Sequence, residues 1–169
     1  DSEEEAGTAV YLTVDLEGSS RSVPEPEPRA LGLGDLPPLR ILLAEDEPIG
    51  QMAMRLQLER SGHAVTAVAN GLEALQALQE AAFDCVLMDI QMPVLDGVEA
   101  TRRLRTRAEF AARRATPVIA LTAYAMEGDR ERFLAAGMDG HVGKPVQPET
   151  LARVLSEVVL SRRGGSGAG

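Results

Sequence analysis

The chain has 169 residues, of which 44% are hydrophobic and 3% aromatic, so one ordinary domain with an appendage is expected. The net charge of −9 comes mostly from residues 1–38, which hold nine acidic and two basic residues, while the remainder is almost balanced. These values exclude a generally basic nucleic-acid surface, and no apolar stretch reaches the length of a membrane helix.

The first 38 residues differ in composition from the rest. Residues 8–16 are rich in β-formers and predict a strand, which needs a partner sheet to be buried. Residues 18–38 mix Pro, Gly, Ser and Glu without apolar periodicity, which predicts a semi-extended linker. At the other end, residues 163–169 are rich in Gly and predict a flexible tail.

Between residues 39 and 162, five short apolar runs alternate with five segments of helical pattern. The runs are 40–44, 64–69, 84–89, 117–121 and 139–143, and the helical segments are 48–60, 71–82, 97–112, 125–136 and 148–160. Continuous apolar runs are typical of parallel strands buried on both faces. The alternation therefore predicts an α/β fold: a doubly wound, five-stranded parallel sheet with five helices.

Polar side chains stand at the ends of four runs, where open α/β sheets bind ligands. Glu45 and Asp46 follow the first run, Asp89 ends the third, Thr122 follows the fourth, and Lys144, the only lysine, follows the fifth. Grouped carboxylates repel one another unless a cation joins them, and oxygen ligands of this kind suit Mg²⁺. An Asp carboxylate is a competent nucleophile for phosphorus, and a lysine and a hydroxyl suit phosphoryl oxygens. These residues predict phosphoryl transfer to Asp89, driven by alignment and charge neutralisation.

Four motifs carry a family resemblance. They are LAEDEP at 43–48, LMDIQMPVLDG at 87–97, ALTA at 120–123 and GKP at 143–145. In order and spacing they resemble the successive motifs of response-regulator receiver domains, which have a flavodoxin-like fold. The resemblance covers residues 39–162.

The resemblance implies a metal site and a phosphoryl acceptor. Asp89 would accept the phosphoryl group, with Glu45 and Asp46 as the acidic pair. Asp46 would bind Mg²⁺ directly and Glu45 more often through water, while Gln91 would supply a backbone carbonyl to the metal. Mg²⁺ is thus the expected cofactor.

The resemblance also implies a catalytic pair and a switch. Thr122 and Lys144 would contact the phosphoryl oxygens, and the bond between Lys144 and Pro145 resembles one that is usually cis in this family. Receivers usually carry Tyr or Phe three residues before the lysine, and this aromatic ring turns inward with the Thr; here the residue is His141. One hypothesis is that His141 replaces the aromatic switch and adds pH sensitivity. The other is a polar ring tolerated at the surface.

The sequences of residues 88–93 and 123–130 resemble those of receivers fused to hybrid histidine kinases. Residues 7–16 resemble the closing strand of a kinase ATP-binding domain. The expected division is therefore a kinase remnant at 1–17, a linker at 18–38, a receiver at 39–162 and a tail at 163–169. Such a fragment would lack the kinase core and catalyse only its own phosphorylation and dephosphorylation, while a bacterial parent protein would be the histidine kinase.

Two functional readings stay open. In the first, the chain takes a phosphoryl group from a phosphohistidine of its own or a partner kinase, and passes it to a histidine phosphotransfer protein or regulates the kinase. In the second, it is a non-phosphorylated docking module that autoinhibits its kinase. A phosphatase of the haloacid-dehalogenase type is disfavoured, because Gln91 stands where a second Asp is needed. The expected location is cytoplasmic, with a possible membrane anchor elsewhere in the parent and no direct contact of this fragment with membrane or nucleic acid.

Several other residues have structural interpretations. Cys85, the only cysteine, is expected to be a buried hydrophobe, which indicates a reducing compartment. Glu47 and Asp96 are expected at helix starts. His63 is expected in an exposed loop, and the arginines of residues 102–107 on a solvated helix face.

Overall fold

The computed structural model describes residues 31–123 and 128–161. The predicted strand at 8–16, the kinase remnant at 1–17, the linker up to residue 30 and the tail at 163–169 lie outside the described residues. Within the described ranges, none of the helices is long and apolar enough to cross a membrane.

Five strands and five helices alternate along the described chain, as the sequence predicts. The strands are β1 (Arg40–Ala44), β2 (Ala64–Val68), β3 (Cys85–Asp89), β4 (Val118–Thr122) and β5 (Gly140–Gly143). The helices are α1 (Pro48–Arg60), α2 (Gly71–Glu80), α3 (Gly97–Thr106), α4 (Asp129–Ala136) and α5 (Pro148–Leu155). Short 3₁₀ turns lie at Leu33–Asp35 and Ala108–Phe110, and a π-helical turn at Ser156–Leu160 extends α5.

All strands pair in parallel, in the order β2-β1-β3-β4-β5. The doubly wound, flavodoxin-like fold predicted from the sequence is therefore confirmed. The strand order reverses between β1 and β3, and in such sheets the ligand crevice lies at the carboxyl ends of the strands at this point. The fold thus brings the ends of β1 and β3 together at one edge of the sheet.

Alternate residues of the strands enter two separate cores. On β1, Leu42 and Ala44 pack with residues of α2, α3 and α4, while Ile41 and Leu43 pack with residues of α1 and α5. Every residue of β3 and β4 is buried. This is the reason for the continuous apolar runs, because strands covered on both faces need no polar side.

The predicted helix over 97–112 ends earlier than expected. Helix α3 stops at Thr106 because Arg107 is extended (φ −81°, ψ 138°), and the chain turns so that Phe110 is buried in the core with Leu104. Burying the Phe110 ring therefore competes with continuing the helix.

Arg105 corrects the prediction of a solvated arginine face. Its guanidinium donates to the carbonyls of Gly137 (2.9 Å), Arg114 (2.7 Å) and Thr116 (2.8 Å), and pairs with Asp139 at 2.9 Å. The side chain is only 16% exposed. Arg105 thus joins α3 to the segments that enter β4 and β5.

Two predictions fail just before β1. Leu33 and Leu36, expected in the linker, are buried in the core beside α1 and α5. His63, expected in an exposed loop, is 4% exposed and hydrogen-bonded to this segment through both ring nitrogens. Both errors have the same cause: the contacts join residues about 30 positions apart, which local sequence patterns do not show.

Candidate phosphoryl-acceptor site

A cleft of about 1010 Å³ opens at the carboxyl edge of the sheet. Glu45, which directly follows β1, is one of its walls and is 3% exposed. The next residues turn at once into α1: Glu47 caps this helix by accepting from the backbone N–H groups of Ile49 (3.0 Å) and Gly50 (2.6 Å). The backbone N–H of Glu47 in turn donates to Glu45 Oε1 at 3.1 Å, which fixes the Glu45 carboxylate. The prediction that Glu47 serves the helix start is therefore confirmed.

Gln51 supports this wall in a way that sequence reasoning missed. Its side-chain Nε2 donates to the backbone carbonyls of Glu45 (2.8 Å) and Val68 (2.9 Å). One amide therefore joins α1 to the ends of β1 and β2. A glutamine inside a helix has no distinctive local signal, so only the tertiary structure reveals this role.

The second wall is built by the turn between β3 and α3. Asp89 ends β3 and is 5% exposed. Asp96 caps α3 by accepting from Glu99 N–H at 2.8 Å, as expected. The following residue must be Gly97, because a Cβ atom there would lie 2.1 Å from the backbone oxygen of Asp89. Close backbone approach thus holds the turn against Asp89.

The same turn contains a strained residue. Val94 has a φ of 70°, a conformation that β-branched residues rarely adopt, and its side chain is 76% exposed. Strained residues of this kind are concentrated at functional sites. Val94 therefore marks this loop as part of the site.

Lys144 occupies the centre of the cleft. Its Nζ lies 2.7 Å from Asp89 Oδ2 and 2.7 Å from Glu45 Oε2, so one ammonium compensates two buried carboxylates. Burial raises the pKa of Glu45, and the hydrogen bond with Asp89 adds to this effect, although Lys144 opposes it. Burial also acts to lower the pKa of Lys144, but its hydrogen bonds to Asp89 and Glu45 outweigh burial and raise that pKa. The peptide bond between Lys144 and Pro145 is cis, as the family resemblance implied.

The acidic residues fit a divalent cation. One carboxylate oxygen from each of Glu45, Asp46 and Asp89 lies within 4.8 Å of the others. Asp46 is exposed to solvent while the other two are buried. Oxygen ligands in this number, with an open solvent side, suit a hard cation that retains water molecules.

The remaining predicted residues line the same cleft. Thr122 is 5% exposed at the end of β4, and Gln91 is exposed beside the acceptor, with its backbone N–H donating to Asp89 Oδ1 at 3.1 Å. Six residues from four separate segments of the chain therefore meet around one space: Glu45, Asp46, Asp89, Gln91, Thr122 and Lys144.

The sequence model of the response regulator receiver domain family matches residues 41–156 of this chain. The chain belongs to this family.

Individual receiver domains agree with this assignment. The receiver domain of the sensor histidine kinase PA1611 from Pseudomonas aeruginosa, solved with a magnesium ion in its active site cleft, is 40% identical, with a TM-score of 0.65. The match covers 73% of this chain and 98% of that one. A chain of the Saccharomyces cerevisiae complex between the phosphotransfer protein Ypd1 and the Ssk1 receiver domain is 26% identical, with a TM-score of 0.67, covering 75% of this chain and 92% of that one.

The kinases among the curated relatives are far longer than this receiver. Hybrid signal transduction histidine kinase I from Dictyostelium discoideum is 40% identical over 126 residues, which is 70% of this chain but only 7% of that protein. The sensor protein GacS from Pseudomonas syringae is 38% identical over 133 residues, which is 15% of its length. The chain thus spans a small part of each of these two kinases.

Within this receiver, His141 does not line the cleft but packs against a residue that does. It is half-buried on β5, and its ring centroid is 6.3 Å from that of Phe133, with the ring planes tilted by 51°. Phe133 itself lines the cleft, as does Arg132 beside it on α4. Sequence reasoning missed Phe133 and Arg132, because helix periodicity alone does not show which face of α4 borders the cleft.

Proposed function

We propose that this receiver takes a phosphoryl group onto Asp89 from a phosphohistidine and passes it to a histidine phosphotransfer protein or uses it to regulate a kinase. The observation that carries the proposal is the pair of 2.7 Å contacts from Lys144 to Asp89 and Glu45, beside a group of three carboxylates. A cation and an acid cluster around one buried carboxylate match the needs of phosphoryl transfer to Asp.

The transfer would proceed by in-line displacement. A carboxylate oxygen of Asp89 forms a bond to phosphorus while the bond from phosphorus to the donor imidazole nitrogen breaks, and that nitrogen keeps the electron pair. Lys144 would move its ammonium from the carboxylates to a phosphoryl oxygen, and the Thr122 hydroxyl would donate a hydrogen bond to another. Mg²⁺, held by Glu45, Asp46, Asp89 and the Gln91 carbonyl, would neutralise charge on the phosphoryl oxygens.

The non-phosphorylated docking module has no comparable support. The acceptor, the acidic pair, the hydroxyl and the lysine are all present around the cleft. A module that only docks has no need for a single lysine bound to two buried carboxylates, because burying charges costs free energy.

The setting we propose is a bacterial hybrid histidine kinase acting in the cytoplasm. Its support is the set of relatives that are themselves hybrid or sensor kinases, among them the bacterial sensor protein GacS. The likeness of residues 7–16 to the closing strand of a kinase ATP-binding domain adds to it. Residues 18–30 would then be the linker, and His141 would take the place of the aromatic switch through its contact with Phe133.

A surface on α1 supports a protein partner. Ile49 and Met52 are 79% and 64% exposed, and Leu56 is also exposed, so apolar side chains at helical spacing form a stripe along α1. We call these three residues the α1 stripe. Because α1 begins directly after the acidic pair, the stripe extends away from the cleft. An apolar strip beside a phosphoryl site fits a helical phosphotransfer domain that must present a histidine to Asp89.

The acceptor assignment is tested with Mg²⁺ and beryllofluoride, an analogue of the phosphoryl group. Amide NMR signals around the cleft should shift in the wild type and stay unchanged in Asp89→Asn. Asp96→Asn is the matched control, since Asn also caps helices well and the change removes one carboxylate from the cleft rim. Loss of the response in both variants, or in neither, would refute the assignment of Asp89.

The partner assignment is tested with Met52→Glu. This change puts a charge into the α1 stripe and should slow phosphoryl transfer to a cognate histidine phosphotransfer protein by about tenfold. Phosphorylation by acetyl phosphate should stay unchanged, because the small donor does not need the stripe. Gln57→Glu adds the same negative charge to this helix but lies about 140° around the helix axis from Met52, so it should have little effect. Equal transfer rates for the two variants would exclude the stripe as the docking surface.

A further inference from the structure

His63 is a buried titratable side chain that the phosphoryl chemistry does not use. It follows Gly62, which ends the turn after α1 with a φ of 97°, and it directly precedes β2. Its Nδ1 lies 3.2 Å from the backbone nitrogen of Leu39, and its Nε2 lies 3.0 Å from the backbone oxygen of Leu33. Both ring nitrogens are therefore bonded to one stretch of chain, about 30 residues earlier.

The two bonds fix the protonation state of the ring. A backbone N–H only donates, so Nδ1 must accept from Leu39 and carries no hydrogen. A backbone carbonyl only accepts, so Nε2 must carry the hydrogen and donate to Leu33. His63 is thus neutral, in the Nε2–H tautomer, and has a defined polar partner on each side.

Apolar contacts reinforce this attachment. Leu33, Leu36 and Leu39 recur every third residue, and all three are buried in the core that contains Leu58 of α1 and Leu155 of α5. The 3₁₀ turn that carries Leu33 is closed by the Asp35 carboxylate, which accepts from the backbone N–H of Gly32 at 2.8 Å. The segment is therefore folded onto the receiver rather than merely adjacent to it.

The attachment lies at the amino edge of the sheet. The backbone N–H of Ala64 donates to the carbonyl of Leu39 at 2.9 Å, so the segment continues directly into the pairing of β1 with β2. The phosphoryl cleft lies at the opposite edge, roughly 16 Å away along the five residues of β1.

We propose that the surface formed by His63, α1 and α5 is an intramolecular docking site for residues 31–39, with His63 as its polar anchor. The docked segment, which we call the clasp, holds the chain that enters the receiver at the amino edge of the sheet. The clasp therefore fixes residues 31–39 at the amino edge, away from the cleft, and the two hydrogen bonds of His63 keep them there. This role goes beyond phosphoryl transfer and does not depend on it.

The wild-type protein provides the first test, using the whole chain. Nitrogen-15 NMR of the imidazole should show His63 as the Nε2–H tautomer, with Nδ1 as a hydrogen-bond acceptor. The Leu39 amide should exchange with solvent as slowly as the amides of β1. An Nδ1–H tautomer, or exchange of Leu39 at the rate of an unprotected amide, would overturn the proposal even if no variant folds.

The second test compares two substitutions. His63→Leu replaces the imidazole with an apolar side chain, which removes the acceptor for Leu39 N–H and the donor for the Leu33 carbonyl. The hydrogen-bonded amides of Asp35, Leu36 and Leu39 should then exchange at least tenfold faster, and thermolysin should cut at the released leucines. His141→Leu, which changes the other histidine, should leave residues 31–39 protected. His63→Asn retains an acceptor for Leu39 N–H and should restore part of the protection.

Amide shifts induced by Mg²⁺ and beryllofluoride at the cleft serve as the folding control. They should persist in His63→Leu, because the clasp and the cleft occupy opposite edges of the sheet. Unchanged protection of residues 31–39 in His63→Leu would overturn the role of His63. A wild type without any response to beryllofluoride would instead count against Asp89 phosphorylation and leave the clasp measurements valid.

Discussion

Lys144 compensates two carboxylates that the fold buries side by side. Glu45 and Asp89 are each about 5% exposed or less, and each accepts a 2.7 Å hydrogen bond from the same ammonium. A buried charge without a partner is costly, so the metal-free cleft depends on this one residue. In the proposed transfer the same ammonium contacts a phosphoryl oxygen.

Lys144→Ala should therefore have two measurable effects. Without Mg²⁺, the free energy of unfolding should fall by about 2–3 kcal/mol, because two buried carboxylates lose their counter-charge. Saturating Mg²⁺ should recover part of this loss while phosphorylation by acetyl phosphate stays impaired. Urea denaturation with and without Mg²⁺, together with a phosphorylation assay, measures both. An equal loss of stability with and without Mg²⁺ would contradict the shared role of the lysine and the cation.

Among single residues, the sequence predicts the polar ones at strand ends. It misses side chains whose hydrogen-bond partners are distant backbone groups. Glu45, Asp89 and Lys144 were identifiable because the carboxyl ends of parallel strands meet at one edge. Gln51 was not, because its acceptors are two carbonyls on separate strands. His63 was misplaced for the same reason, since its partners are backbone groups far away in sequence.

Helix α3 is bonded to segments at both ends of the sheet. Its first residue, Gly97, touches the backbone of Asp89, and its last turn carries Arg105, which holds the loops before β4 and β5. Helix α3 therefore connects the acceptor end of β3 with the opposite end of the sheet.

Gly97→Ala should displace the turn that packs against Asp89. The new Cβ would lie 2.1 Å from the Asp89 oxygen and 2.8 Å from the Met88 side chain, so the turn must shift. The expected loss is about 3 kcal/mol of unfolding free energy, with weaker Mg²⁺ binding, measured by denaturation and metal titration. Gly34→Ala, where no atom lies within 4 Å of the added Cβ, is the control and should be nearly neutral. Equal stability of the two variants would show that the close approach is not a constraint.

Arg105→Lys should destabilise the protein although it conserves charge. A lysine ammonium does not reproduce the planar fork that reaches three carbonyls and Asp139, so a loss of about 1–3 kcal/mol is expected in thermal or urea unfolding. Arg102→Lys is the matched control on the same helix. Its side chain is 52% exposed and pairs with Glu99 across one turn, so the change should cost less than about 0.5 kcal/mol. A larger loss in Arg102→Lys than in Arg105→Lys would contradict this account of α3.

Arg102 and Arg105 also show why the prediction of a solvated helix face is wrong at Arg105. Residues 102–107 read as a uniform charge run, and Arg102 conforms to it. Arg105 differs only in the carbonyls that the loops before β4 and β5 bring to it. Charge patterning predicts the polar face of a helix but does not identify which member is enclosed by distant loops.

For the whole molecule, the order of strands and helices was predictable because buried strands and amphipathic helices each leave a clear pattern of apolar residues. Five continuous apolar runs separated by helical patterns specify parallel strands covered on both faces, and the structure has that arrangement. The amino-terminal limit of the receiver was not predictable in this way. Its leucines at every third position lie among Pro and Gly, so the sequence pattern predicts a linker. Only the structure shows the surface that buries these leucines.

The central claim is that Asp89 accepts a phosphoryl group, and peptide-mapping mass spectrometry tests it most directly. After incubation with acetyl phosphate and Mg²⁺, wild type should gain the mass of one phosphoryl group, located at Asp89, and lose it when Mg²⁺ is present without donor. Asp89→Asn should gain nothing, while Asp96→Asn should behave like wild type. A wild type that stays unmodified, or a phosphoryl group located at any other residue, would contradict the account.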